Sequence, residues 1–221
     1  MKTNSCPPAQ FISFEGVDGC GKSTLMDKLS QWLEGVGIPH IRTREPGGTP
    51  LGEKIRDLLL DPAHAEMNEE TEVLLYTASR AQLAAQIISP ALKEGKWVLS
   101  DRYIDATLAY QGYGRGMDLQ ALRRIQDWAT KGLWPHRTVL LDCDIQVAFQ
   151  RMQGREGELD RMEQEKESFH QKVREGYLEL AKGEPQRFIV LNAANPLDQV
   201  LEEFRKKFWE PLSRKMQERR P

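Results

Sequence analysis

An α/β fold, with a five-stranded parallel sheet flanked by helices, is predicted for this 221-residue chain by two observations. Short β-rich apolar runs alternate with helical stretches, and a glycine-rich G-x-x-x-x-G-K-S string joins the first run to the first helix. Residues 11–15 (FISFE) are the first strand, ending at Gly16. Over 22–33, Leu25, Leu29 and Leu33 recur at four-residue spacing, as on one face of a helix. Residues 38–43 read as a second strand. After the EPGGT turn, 51–60 has helical periodicity and stops before Pro62. Asn68 is placed to cap a long helix running towards Ser89, with Glu69, Glu70 and Glu72 in its first turn, where the helix dipole favours negative charge. Pro90 then bends or interrupts that helix. Residues 97–100 (WVLS), 138–142 (TVLLD) and 187–192 (RFIVLN) give the remaining strands, and a C-terminal helix starts near Pro196. Apolar strands separated by helices indicate a parallel sheet covered on both faces. With no repeat and no linker in view, one domain over 1–221 is expected.

Composition removes several classes of function. The chain has 31 Lys plus Arg against 33 Asp plus Glu, a net charge of −2, which argues against a protein that coats nucleic acid or a membrane surface. A small phosphorylated ligand needs only a few placed cations and is not excluded. No run approaches the roughly 18 apolar residues of a membrane span. The opening MKTNSCPPAQ has no apolar core of a signal peptide, so a cytoplasmic location is expected. Cys6, Cys20 and Cys143 are odd in number and lack C-x-x-C spacing, which suits a reducing compartment. His40, His64, His136 and His170 are scattered without metal-ligand spacing.

The sharpest signal is Gly16-Val17-Asp18-Gly19-Cys20-Gly21-Lys22-Ser23, followed by Thr24. Glycines let successive backbone N–H groups turn inward around a phosphate, and the helix N-terminus adds positive potential. Lys22 then reaches the β/γ oxygens, and the Ser23 hydroxyl joins a Mg2+ coordination sphere. The chain has no guanine-reading N-K-x-D, which leaves ATP-using kinases, motor-like ATPases and transporters; it is short for most of the last two. Asp101 and Arg102 end the third strand, where ligands of open parallel sheets sit. Asp101 can hold a Mg2+-bound water or orient an acceptor, and Arg102 can fork onto a phosphate. A local Asp–Arg ion pair is the plainer alternative.

Four motifs in order, FEGVDGCGKST at 14–24, REPGGT at 44–49, DRY at 101–103 and GELDRMEQE at 157–165, resemble those of bacterial thymidylate kinases. AYQGYGRG at 109–116 and NAANPLDQV at 192–200 extend the resemblance over nearly the whole chain. It implies a P-loop nucleoside-monophosphate-kinase fold that phosphorylates dTMP to dTDP with Mg2+ and ATP, in dTTP synthesis, as a homodimer. Residues 16–24 would hold ATP, with Ser23 and Asp101 serving the metal. Asp18 matches the acidic residue that contacts the acceptor sugar 3′-OH. Tyr76 and Arg80, one helical turn apart, match a pair that stacks on the base and binds its edge. Thr107, Tyr110 and Gln111 would close over base and sugar, with Tyr110 excluding a ribose 2′-OH. Glu45 and Pro46 resemble the turn bordering the acceptor phosphate, which Arg102 would also meet. Arg151, Arg155 and Arg161 fall in a lid at about 150–162. Because the loop position that is basic in some relatives is Gly19 here, the lid arginines are expected to supply the catalytic cations. Another pyrimidine-nucleotide kinase, or a nucleotide-binding regulatory module, remains as an alternative.

Overall fold

The structure, a computed structural model, describes residues 8–153 and 159–213. Strands β1 (Phe11–Glu15), β2 (His40–Arg44), β3 (Trp97–Asp101), β4 (Arg137–Asp142) and β5 (Phe188–Asn192) form one all-parallel sheet in the order β2-β3-β1-β4-β5. All five residues of β1 are buried, which is why its sequence lacks the alternation of a half-exposed strand. Phe14 stands level with Asp101 on one side and Val139 on the other. The carboxyl ends of β1, β3 and β4 therefore open together at one edge of the sheet.

Helix α1 (Lys22–Gly35) buries Leu25, Leu29 and Leu33 to 2% exposure or less, and each contributes about 1.5–3 kcal/mol. Helix α2 (Pro50–Leu60) starts with a proline whose missing N–H costs nothing there, and Thr49 Oγ1 caps it by accepting from Gly52 N at 2.9 Å. Helix α3 (Glu69–Leu83) is capped by Asn68, whose Oδ1 accepts from Glu70 N and Thr71 N. The long helix expected towards Ser89 divides: α3 passes through a π-turn at Ala84–Ile88 into α4 (Ser89–Lys93). Pro90 sits in the first turn of α4, where it continues the path instead of breaking it. Glu72 also departs from the simple dipole picture. It is 1% exposed and clasped by Arg115, at 2.8 and 2.9 Å, and by Gln111 Nε2 at 2.8 Å.

Helix α5 (Ile104–Thr107) runs into a second π-segment, Leu108–Gly114, and is followed by α6 (Leu119–Thr130), α7 (Ile145–Gln153), α8 (Glu167–Gly183) and α9 (Leu197–Phe204). Arg187, expected inside the fifth strand, stands just before it and forks onto the buried Asp105 at 2.6 and 2.7 Å. At the other side of the sheet Trp97 is fully buried against Phe208, their rings edge-on at 5.8 Å. Among the described residues no helix is long and apolar enough to cross a membrane.

Candidate active site

The phosphate loop is shaped by contacts that only glycine permits. Gly16 has φ +134°, and a Cβ there would lie 2.6 Å from Leu141 O. Gly19 has φ +80°, and a Cβ there would meet Ala148 O at 2.3 Å. The loop is thus pressed against β4 and α7, and a side chain at position 19 would require the α7 backbone at Ala148 to shift. Gly21 leads into α1, so the helix N-terminus faces the loop. Lys22 is 7% exposed and arcs back over the loop, donating from Nζ to Gly16 O at 3.0 Å and Val17 O at 3.1 Å. Ser23 Oγ donates to Asp101 Oδ2 at 3.3 Å, which brings a hydroxyl and a carboxylate from α1 and β3 together. Two oxygen donors suit Mg2+, which keeps several waters and takes its other ligands from substrate phosphates. Among the described residues no group of three or more His, Cys, Asp and Glu gathers to hold a metal by itself.

Two hollows meet beside this loop. The first is lined by Gly19, Gly21, Lys22, Ser23, Thr24 and Asp101, together with Arg44 and Glu163. The second is lined by Pro46, Leu60, Tyr76, Ala106, Thr107, Tyr110, Gln111 and Met162. Asp18, Glu45, Arg56, Arg102 and Asp160 line both and form the seam between them. Arg102 Nη2 donates to Asp18 Oδ1 at 2.6 Å and to Tyr110 Oη at 3.0 Å, and its guanidinium lies 4.9 Å from the Tyr110 ring centroid. Tyr110 in turn donates to Asp18 Oδ2 at 3.1 Å. Burial works to raise Asp18, but Arg102 and Lys22, with the Arg102 and Tyr110 hydrogen bonds, overcome it and hold the carboxyl well below its usual range. The peptide between Glu45 and Pro46 is cis. Burial, only partly opposed by Arg80, pushes Glu45 up to about 7.

Most of the residues singled out from the sequence converge here, and three arginines do not. Arg80 is 1% exposed and does not line either hollow. In place of a free edge for a base, it donates to Glu45 Oε2 at 2.6 Å, Thr107 Oγ1 at 2.9 Å, Gln126 Oε1 at 2.6 Å and Tyr103 O at 3.0 Å. Arg161 is 8% exposed and turns to α2 and α3, with Nε on Leu59 O at 2.8 Å and Nη2 2.6 Å from Glu72 Oε2. Arg151 is exposed on α7 and donates to Ala193 O at 3.2 Å, in the loop after β5. Arg155 lies outside the described residues. Cys20 and Val17 are buried under the loop with their backbone in it.

Sequence reasoning missed Arg56 and Asp160. Arg56 is half-buried on α2 and donates to Pro46 O at 3.0 Å, aiming a cation into the seam. Its signal was the helical spacing to Leu60, which lines the same hollow four residues on. Asp160 precedes Arg161 in the GELDRMEQE segment and lines both hollows, but a lone carboxylate in a charged run carries no spacing signal.

A family model described as Thymidylate kinase matches residues 14–204. Similar proteins include the thymidylate kinase of Symbiobacterium thermophilum, 47% identical over 205 residues, or 93% of this chain and 95% of the relative. That of Carboxydothermus hydrogenoformans is 50% identical and covers 91% of this chain and 94% of its own length. That of Deinococcus radiodurans is 50% identical over 86% of this chain and 91% of its own.

Proposed function

Because the chain belongs to the thymidylate kinase family, we propose that it transfers the γ-phosphoryl group of Mg2+·ATP to the 5′-phosphate of dTMP, giving dTDP. The observation that carries this reading is the seam of five residues common to a phosphate-loop hollow and an aromatic, polar-rimmed hollow. Two phosphate groups entering from opposite sides meet there, and phosphoryl transfer is chiefly positioning and charge neutralisation. Loop N–H groups of residues 16–24 and Lys22 hold the β- and γ-phosphates of the donor. Arg102 and Arg56 hold the acceptor phosphate in line. Asp18 stays ionised and accepts from the sugar 3′-OH, Tyr76 lies against the base, and Thr107 and Gln111 offer polar groups to its edge. Tyr110 stands where a ribose 2′-OH would enter. Arg80 acts from behind the wall, fixing Glu45 and Thr107. Ser23 and Asp101 would hold Mg2+, which when bound would offset the negative charge of the donor phosphates.

In this reading the chain is one domain, 1–221, with residues 150–162 as a lid that carries Arg151, Arg155 and Arg161. The protein works in the cytoplasm as a homodimer. Support for the dimer is an apolar surface spread over three adjoining helices: Leu51 and Leu58 on α2, Leu74 on α3 and Trp128, 82% exposed, on α6. Sedimentation of Leu74→Glu and Trp128→Glu proteins is expected to give monomers where the unaltered chain gives dimers; dimers from the double variant contradict that surface. The activity itself is tested by ADP release with ATP and dTMP, dUMP, UMP, CMP or AMP. Strong stimulation by dTMP is expected. Equal stimulation by several pyrimidine nucleotides indicates a broader kinase, and none by any acceptor indicates a regulatory module.

A further inference from the structure

Arg102 has φ +69°, a left-handed backbone conformation that is unfavourable for a residue with a Cβ. Such a conformation persists only when its surroundings over-determine it. The backbone on either side is held by three bonds: Arg102 N to Phe14 O at 3.0 Å, Ser100 Oγ to Arg102 O at 2.7 Å, and Tyr103 N to Glu15 Oε1 at 2.8 Å. The guanidinium is held separately. Its Nη1 donates to Gly16 O at 3.0 Å and to Tyr177 Oη at 3.3 Å, and Tyr177 donates onward to Glu15 Oε2 at 2.8 Å. One oxygen of Glu15 therefore holds the amide of Tyr103, the residue that follows Arg102, and the other reaches the Arg102 guanidinium through the Tyr177 hydroxyl.

Glu15 is fully buried at the last position of the central strand, where it touches no part of either hollow. A buried carboxylate is costly unless its oxygens are satisfied. Here Ser13, Tyr103 and Tyr177 all donate to it. The groups facing it include Ser13 of its own strand, Asp105 of α5, itself paired with Arg187, Arg102 after β3, Tyr177 of α8 and the Glu45 carboxyl after β2. Burial, with the Asp105 charge adding to it, pushes Glu15 up to about 7 against the opposing pull of Ser13, Arg102 and Tyr177.

We propose that Glu15 and Tyr177 are positioning residues for phosphoryl transfer, a relay from β1 and α8 that keeps Arg102 in its strained conformation at the seam. This rests on the reading that Arg102 meets the acceptor phosphate. The relay reaches across 162 residues of sequence, from Glu15 to Tyr177, and needs no contact with substrate.

The test is a double-mutant cycle with Arg102. Tyr177→Phe keeps the buried ring against Tyr110 and removes only the relaying hydroxyl. It is expected to lower kcat/KM for dTMP by about tenfold with KM for ATP unchanged, since small displacements of a positioned group are costly in rate. In an Arg102→Ala background the same change is expected to cost less than about twofold, because there is no longer a guanidinium to place. A purely structural hydroxyl would act alike in both backgrounds. An unaltered kcat/KM in Tyr177→Phe, or an equal tenfold loss with and without Arg102, overturns the relay. Wild-type turnover of dTMP is measured alongside; an inert wild type defeats both this inference and the kinase reading, whereas an active wild type with an unaltered variant defeats the relay alone. Glu15→Gln, which keeps an acceptor for Tyr103 N, is expected to follow the same split.

Discussion

Arg102–Asp18 and Arg80–Glu45 are both arginine–carboxylate pairs closed to 2.6 Å, yet their carboxyl groups are driven in opposite directions. Asp18 is held well below its usual range, and Glu45 is pushed up to about 7. Distance within the pair does not explain this; the company each keeps does. Asp18 is 24% exposed and has a second cation, Lys22, at 3.9 Å, plus the Tyr110 hydroxyl. Glu45 is sealed, faces one guanidinium whose other donors are spent elsewhere, feels the Glu15 carboxylate, and among the described residues leaves Oε1 without a hydrogen-bond partner. Desolvation wins where a single partner must offset it and loses where several do. The same contrast separates a pair whose two members both line the seam, which a ligand can open and remake, from one in which Glu45 reaches the seam while its arginine is locked in the wall behind it.

The largest effects that test this contrast come from deleting each arginine. Arg102→Ala is expected to lower kcat by about 10²- to 10³-fold, as for loss of a donor to developing charge, with a modest change in melting temperature. Arg80→Ala is expected to destabilise the fold by about 3–5 kcal/mol, because Glu45 is left buried without its partner. Calorimetric unfolding beside initial rates separates the two. An Arg80 variant as stable as wild type, or an Arg102 variant that loses stability and keeps its rate, breaks the distinction between wall and seam.

That distinction was beyond the sequence, whereas the phosphate loop was not. A phosphate loop is made by backbone, so the spacing of Gly16, Gly21 and Lys22 along the chain nearly specifies it. The strands were legible for a related reason: burial on both faces leaves runs such as FISFE without polar interruption. The acceptor wall is made by side chains that meet only in space. Helical spacing put Tyr76 and Arg80 on one face, correctly, but could not say that Arg80 is shut in by Thr107, Gln126 and Glu45, which lie 27, 46 and 35 residues away. Glu72 reads as a first-turn charge until Arg115 closes on it from 43 residues on. The strand at 97–100 was extended by one residue, to Asp101, because its pairing with Phe14 and Arg44 continues past the apolar run.

A smaller effect distinguishes the two pairs by pH. Glu45 has a folded-state pKa of about 7 against a reference value of 4.5, so between these values the native state binds more protons than the unfolded one. Its stability is fully present below about pH 4.5 and is lost as pH rises through 7; Glu15 slopes the same way. Asp18 runs opposite: its contribution is present above the reference value of 3.8 and is lost as pH falls. Relative to wild type, Glu45→Gln should therefore gain stability between pH 5 and 8, by about 1–2 kcal/mol, since the amide never has to be buried as a charge. Asp18→Asn should gain relative stability only as pH falls below about 5 and through the reference value of 3.8. Differential scanning calorimetry across both windows reads this directly. Parallel curves for Glu45→Gln and wild type between pH 5 and 8 would mean that Arg80 fully compensates the buried carboxylate, and the two pairs would then differ in exposure alone.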